Sequence, residues 1–216
     1  MEQLTNHKRT EQPRSSAHLP VTLTRFVGRA REVEELNQLL RASRLVTLIG
    51  AAGSGKTRLA QYVGDRVRNR YPDGLYWIEL ARLEDPMLLP QAIVTALKIA
   101  EQPDTSPLTM LLNELREKHA LLILDNCEHL LGPCADLVYA LVTATPITVL
   151  ATSREALGVT GEQRYPVMPL PLPEMDLPLA DLQKNESVEL FIDRAQTVLP
   201  QFRLTEENRV VVATIC

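Results

Sequence analysis

Residues Gly50-Ala51-Ala52-Gly53-Ser54-Gly55-Lys56-Thr57 satisfy the pattern G-x-x-x-x-G-K-[ST] at every constrained position. Each residue type has a physical reason. Small residues let the backbone wrap a phosphate, with its N–H groups turned inward. Lys56 is a cation that reaches terminal phosphates, and the Thr57 hydroxyl is an oxygen ligand suited to Mg²⁺. The loop also needs a helix behind it, because the positive end of a helix favours anions. Residues 56–69 read as that helix, and LVTLIG at 45–50 reads as the buried strand that feeds the loop.

A metal beside that hydroxyl calls for an acid at the tip of a neighbouring strand. Leu121-Leu122-Ile123-Leu124-Asp125 lies inside the most continuous apolar run, 120–126, and makes Asp125 the candidate Mg²⁺ ligand with Thr57. Hydrolysis further needs a group that orients or deprotonates water. Asn126 stands where a second acid would directly follow the aspartate. Glu128 can serve as base, or it can cap the next helix; the residues leave both open. Ala151-Thr152-Ser153-Arg154 closes another strand. Arg154 is placed either to meet a γ-phosphate or to lie at the surface behind a capping Ser153. The candidate catalytic residues are therefore Lys56, Asp125, Glu128 and Arg154. Cys127, His129 and Cys134 fit no zinc spacing, and the two cysteines read as core.

The elements around these residues alternate. Helix 30–41 puts Val33, Leu36 and Leu40 on one face. Tyr71-Pro72-Asp73-Gly74 is a turn before a strand at 75–80. Helices are expected at 87–98, 107–118 and 129–143, and a strand at 147–153. Strands alternating with helices predict the α/β class, with a parallel sheet covered on both faces. From Tyr165 the composition changes. Prolines 166, 169, 171, 173 and 178 exclude a helix or a central strand and predict an extended connector. Helices are expected again at 186–198 and 205–215. The expected organisation is a disordered polar tail over 1–20, a P-loop domain over 21–168, the connector over 169–185 and the start of a helical domain over 186–216. The last helix ends on apolar residues with no cap, which reads as a cut inside that second domain.

Composition narrows the partners. The chain has 216 residues, 45% of them hydrophobic, and a formal net charge of −4. That charge disfavours a strongly basic nucleic-acid binder. Three cysteines are too few for a disulfide framework and fit a reducing cytoplasm. No apolar run is long enough for a membrane span or a leader peptide.

Taken in order, these motifs resemble the STAND class of P-loop ATPases, near the NB-ARC group. They are most similar to the ATPase segment of bacterial LuxR- and SARP-type regulators. The resemblance runs from about Leu19 to Cys216. Phe26-Val27-Gly28-Arg29 resembles the family's N-terminal box, which implies that Val27, Gly28 and Arg29 contact adenine and ribose. The loop residues 50–57 and Arg58 complete the implied nucleotide contacts. Leu121 to His129 resembles the second motif of this subgroup. Ala151-Thr152-Ser153-Arg154-Glu155 resembles its sensor, which favours the phosphate role for Arg154. Met168-Pro169-Leu170-Pro171 resembles the connector, which implies a ligand contact for Pro169. SVELFIDRA at 187–195 resembles the start of the helical domain. The family's later Gly-x-Pro motif has no match here. The resemblance implies a five-stranded parallel sheet in the order 5-1-4-3-2, ATP or ADP with Mg²⁺ as ligands, and a slow hydrolysis that resets a switch. It also implies self-association or C-terminal effector and sensor domains as partners. Two other readings are a non-catalytic ADP-binding module, consistent with Asn126, and a kinase-like P-loop enzyme. A Ras-like GTPase is disfavoured, because the chain has no Asn-Lys-x-Asp. Specific DNA binding by this chain is not expected. Arg66, Arg68 and Arg70 offer only a weak basic stripe.

Overall fold

The computed structural model describes residues 19–174 and 176–216; the expected tail lies mostly outside them. Helix α1 (Ala30–Ala42) leads to β1 (Leu45–Ile49), the glycine loop and α2 (Lys56–Val67). Strand β2 (Leu75–Glu79) is followed by α3 (Leu89–Ala96), α4 (Pro107–Leu115) and β3 (Leu121–Asp125). Then come α5 (Leu131–Ala144), β4 (Thr148–Ser153) and β5 (Gln163–Pro166). The chain closes with α6 (Leu179–Leu182), α7 (Glu186–Val198) and α8 (Arg209–Ile215).

The five strands form one sheet in the order β2-β3-β4-β1-β5, and every pairing is parallel. This is the 5-1-4-3-2 order implied by the resemblance, read from the other edge. β3 and β4 are buried along their whole length, as strands covered on both faces must be. One face packs on α3, α4 and α5 through residues such as Ile93, Leu111, Leu137 and Leu141. The other packs on α1 and α2 through Leu36, Leu40, Leu59 and Val63. A separate small cluster, Leu182, Val188, Leu204, Val212 and Ala213, holds α6, α7 and α8 together. No described helix is long and apolar enough to cross a membrane.

Several boundaries move for local reasons. The expected helix 129–143 begins at Leu131, because Asn126 takes a left-handed φ of 70° and a 3-10 turn occupies Cys127–His129. The last helix begins at Arg209 rather than 205. Asn208 Oδ1 accepts the Thr205 N–H at 2.9 Å and holds 205–208 as a turn. The segment expected to be connector from Tyr165 contributes the edge strand β5, whose Pro166 sits at its end, where no donor is required.

Candidate functional site

The site lies where β1, β3 and β4 end together. Gly55 caps α2 with φ 89°, a conformation that suits glycine. Gly53 has φ 78° and open space where a side chain would begin. At Gly50 a Cβ would stand 2.5 Å from the Val167 carbonyl and 2.8 Å from Ser54 Oγ, so the start of the loop admits only glycine. The Lys56 ammonium donates to the carbonyls of Gly50 at 2.8 Å and Ala51 at 3.0 Å, which arches it over the loop. Ser54 Oγ is buried without a hydrogen-bond partner among the described residues. A cradle with an orphaned polar atom, a resident cation and the positive end of a helix fits a phosphate chain.

Asp125 stands opposite. Its Oδ1 accepts from Thr57 Oγ1 at 2.8 Å and from Thr152 Oγ1 at 2.6 Å. Thr152 Oγ1 in turn accepts the Asn126 N–H at 2.9 Å. Burial pushes the Asp125 carboxyl above its ordinary range, and the charges of Glu79 and Glu128 add to the rise. The two hydroxyls oppose it without cancelling it. One hydroxyl and one partly desolvated carboxylate are hard oxygen donors that fit Mg²⁺, an ion that keeps several waters. Sequence reasoning missed Thr152. Its signal was a hydroxyl at the end of a fully buried strand.

The raised carboxyl has a consequence for stability. Its charge is harder to carry folded than unfolded, so ionised Asp125 costs stability at neutral pH. That cost disappears as pH falls through the folded value. Asn keeps an acceptor for both hydroxyls. Without metal, Asp125→Asn should therefore melt higher than the parent at pH 7, at roughly 2–4 °C per kcal/mol recovered. The gap should close on acidification. Thermal melts across pH check this, and a lower melting point at every pH would refute it.

Glu128 and Arg154 meet. Arg154 Nε donates to Glu128 Oε1 at 3.2 Å, the arginine side chain being 60% exposed and the glutamate 18%. Glu128 Oε2 is buried with no partner among the described residues. The carboxylate makes no capping bond to a helix N–H, and α5 has no side-chain cap. No helix follows Ser153 directly, so its hydroxyl accepts from Glu155 N–H in a turn rather than capping one. Cys127 and Cys134 are buried core thiols, and the described residues contain no cluster of potential metal ligands.

The Val27-Gly28-Arg29 box sits beside the loop. The Arg29 guanidinium is buried and donates to Ser54 O at 2.7 Å, to Met168 O at 2.8 Å and to Glu32 at 3.2 Å. It therefore ties the loop to the segment after the sheet. Val27, Arg29, Gly53, Ser54, Gly55, Arg58 and Pro169 line one cleft of about 480 Å³, whose far wall is α7. Ala51, Ala52 and Thr57 belong to the same loop and helix end but do not line that cleft. Glu186, to which no motif points, closes the box: its Oε1 accepts the Arg29 N–H at 2.9 Å.

The family model described as AAA domain matches residues 39–159, which is more than half of the chain and contains the loop, Asp125, Glu128 and Arg154. The chain belongs to the AAA domain family. Relatives of this AAA domain include an uncharacterized protein of Mycobacterium tuberculosis, 36% identical over 195 residues, covering 90% of this chain and 47% of the relative. The regulatory protein AfsR of Streptomyces coelicolor is 32% identical over 151 residues, covering 59% of this chain and 15% of the relative. The chain thus spans about half the length of the first relative and a small part of the second. Among solved structures, a STAND protein with a tetratricopeptide repeat sensor from Pyrococcus horikoshii superposes with a TM-score of 0.53 at 18% identity, covering 90% of this chain and 28% of that one. The Aeropyrum pernix ORC2 protein superposes with a TM-score of 0.57 at 13% identity, covering 91% and 70%. These two likenesses show the fold. Fold and family together support nucleotide binding by the AAA domain, in a chain whose relatives include a regulatory protein.

Proposed function

We propose that this AAA domain is an ATP/ADP-binding switch module of a signal-transducing regulator, with slow Mg²⁺-dependent hydrolysis. The observation that carries the reading is the meeting of Lys56, Thr57 and Asp125 at the mouth of one glycine loop, beside a cleft walled by α7. Lys56 and the loop N–H groups hold the phosphates. Thr57 and Asp125 hold Mg²⁺, which when bound neutralises charge on the β- and γ-phosphates. Glu128 orients the attacking water, and Arg154 meets the developing charge. Val27, Pro169 and the rest of the cleft take the base and ribose. The AAA domain over 21–168, the connector over 169–185 and the helical segment from 186 move relative to one another as nucleotide changes. Calorimetry with ATP and ADP, with and without Mg²⁺, and phosphate release under saturating ATP test the reading. Absence of binding to either nucleotide would overturn it. Binding without any turnover would leave the ADP-binding module instead.

Regulation of DNA by the parent protein would then act through other domains. The formal net charge of −4 disfavours DNA as a partner, and contacts through Arg66, Arg68 and Arg70 would be to phosphates and lost as salt rises. Arg66 already packs over the Tyr62 ring, and Arg70 is held by Asn37. A titration with random and promoter-like duplexes near physiological salt should show weak binding with no sequence preference. Sub-micromolar, sequence-selective binding would place DNA recognition in this chain.

A further inference from the structure

Helix α7 is fastened to segment 25–29 in two ways. At Arg25 the contacts are with the segment's surface: Glu189 pairs with its side chain at 2.8 Å, and Arg194 Nη2 donates to its carbonyl at 3.2 Å. At Arg29 the contact is with the backbone. Glu186, in the first turn of α7, accepts the Arg29 N–H through Oε1 at 2.9 Å. Its carboxylate lies so close over Gly28 that a Cβ there would stand 2.6 Å from Glu186 Cδ. The N–H is presented by two consecutive left-handed residues, Gly28 at φ 69° and Arg29 at φ 60°. Glycine adopts this conformation freely, whereas an arginine keeps it only where its surroundings hold it.

Three sets of contacts hold Arg29. Its N–H goes to Glu186, its carbonyl accepts the Val33 N–H at 3.0 Å, and its buried guanidinium donates to Ser54 O, Met168 O and Glu32. Only the first comes from α7. The Ser54 carbonyl belongs to the phosphate loop. A trans peptide points its C=O and the following N–H in opposite directions. Fixing Ser54 O on the guanidinium at 2.7 Å therefore turns the Gly55 N–H away from Arg29, as a donor for a phosphate. A short path thus runs from α7 to the loop through one residue, Arg29.

We propose that Glu186 is a positioning residue of the nucleotide site, acting through Arg29 on the phosphate loop. The inference rests on the nucleotide reading above. The carboxylate acts at one remove from the ligand: it holds Arg29 in its left-handed backbone, and Arg29 holds the loop in the shape that receives phosphates. A loop ordered beforehand spares the cost of ordering it on binding. By linkage, bound nucleotide strengthens the docking of α7 by the same factor by which docked α7 strengthens nucleotide binding.

The test is calorimetry of the full chain with ADP. Glu186→Ala should weaken ADP by about 5- to 150-fold, the usual range of coupling between sites. Glu186→Gln keeps an oxygen for the Arg29 N–H and should retain most of the parental affinity. Glu189→Ala removes the other acidic contact of α7 with the same segment but leaves Arg29 untouched, so it should bind ADP like the parent. In an Arg29→Met background the path is already cut, and adding Glu186→Ala should change affinity by less than about twofold. Parental affinity in Glu186→Ala would overturn the proposal and leave the nucleotide reading intact. Equal losses in Glu186→Ala and Glu189→Ala would reduce Glu186 to a docking contact and overturn it too. So would a glutamine variant as weak as alanine, or losses that add fully in the double variant. The three glutamate variants decide the question if Arg29→Met does not fold. Failure of the unsubstituted chain to bind ADP would overturn the nucleotide reading, and the role of Glu186 with it.

Discussion

Glu128→Gln should lower the rate of phosphate release by about 10²–10⁴-fold while leaving ADP affinity unchanged, because glutamine keeps the shape and loses the basic oxygen. Glu128 is the carboxylate nearest to Asp125 in sequence that makes no backbone bond, and one of its oxygens is buried without a partner among the described residues. Its remaining contact is the ion pair with Arg154, which is largely exposed on the arginine side. Exposed pairs contribute about 0–1 kcal/mol, so the substitution should hardly move the melting temperature. A capping residue would behave in the opposite way, costing ~1 kcal/mol of stability and no turnover. Phosphate release at saturating Mg-ATP and a thermal melt on one preparation decide between them. Turnover within about twofold of the parent would remove Glu128 from the chemistry.

Lys56→Ala should abolish tight binding of both ADP and ATP. The ammonium is held inside the loop by two carbonyls, at the point where terminal phosphates would lie. A hydrogen bond to a charged group contributes about 1.5–3 kcal/mol, so each one that Lys56 makes to a phosphate costs about 10- to 100-fold in affinity when lost. The loop carbonyls of Gly50 and Ala51 would also lose their donor. A modest drop in melting temperature should accompany the loss. Calorimetry with each nucleotide checks it. Parental affinity in the variant would remove the loop from the binding site altogether.

Much of this site was legible in the sequence because its signals are local. The loop pattern carries its own spacing, and Asp125 ends a short, continuous apolar run that reads as a buried strand. The sheet edge was not legible in the same way. β5 is a strand of exposed and half-buried residues, Gln163 to Pro166, and it exists because β1 offers it hydrogen bonds. Its residues carry no burial pattern, and its proline argues for a loop. Glu186 and Arg194 were invisible for another reason. Their positions on α7 look like ordinary surface positions of an amphipathic helix, and only tertiary docking brings them to Arg29 and Arg25. The alternatives at Arg154 depend on the backbone just beyond it. A turn, not a helix, comes after Ser153, so the capping alternative has no helix to cap.

The strand order also dictates a schedule for the nascent chain. β1 is made early, yet it pairs with β4 on one side and β5 on the other, Leu45 with Val149 and Val46 with Gln163. Roughly 100 residues must leave the ribosome before the first partner exists, which is about 5–20 s at common rates of synthesis. Throughout that interval both edges of an apolar strand are open, and such edges recruit other chains. Pairings this distant in sequence also form slowly once the chain is complete. Any truncation that stops short of Ser153 would make that exposure permanent, so shortened versions of this domain should be recovered as aggregates rather than as smaller soluble folds.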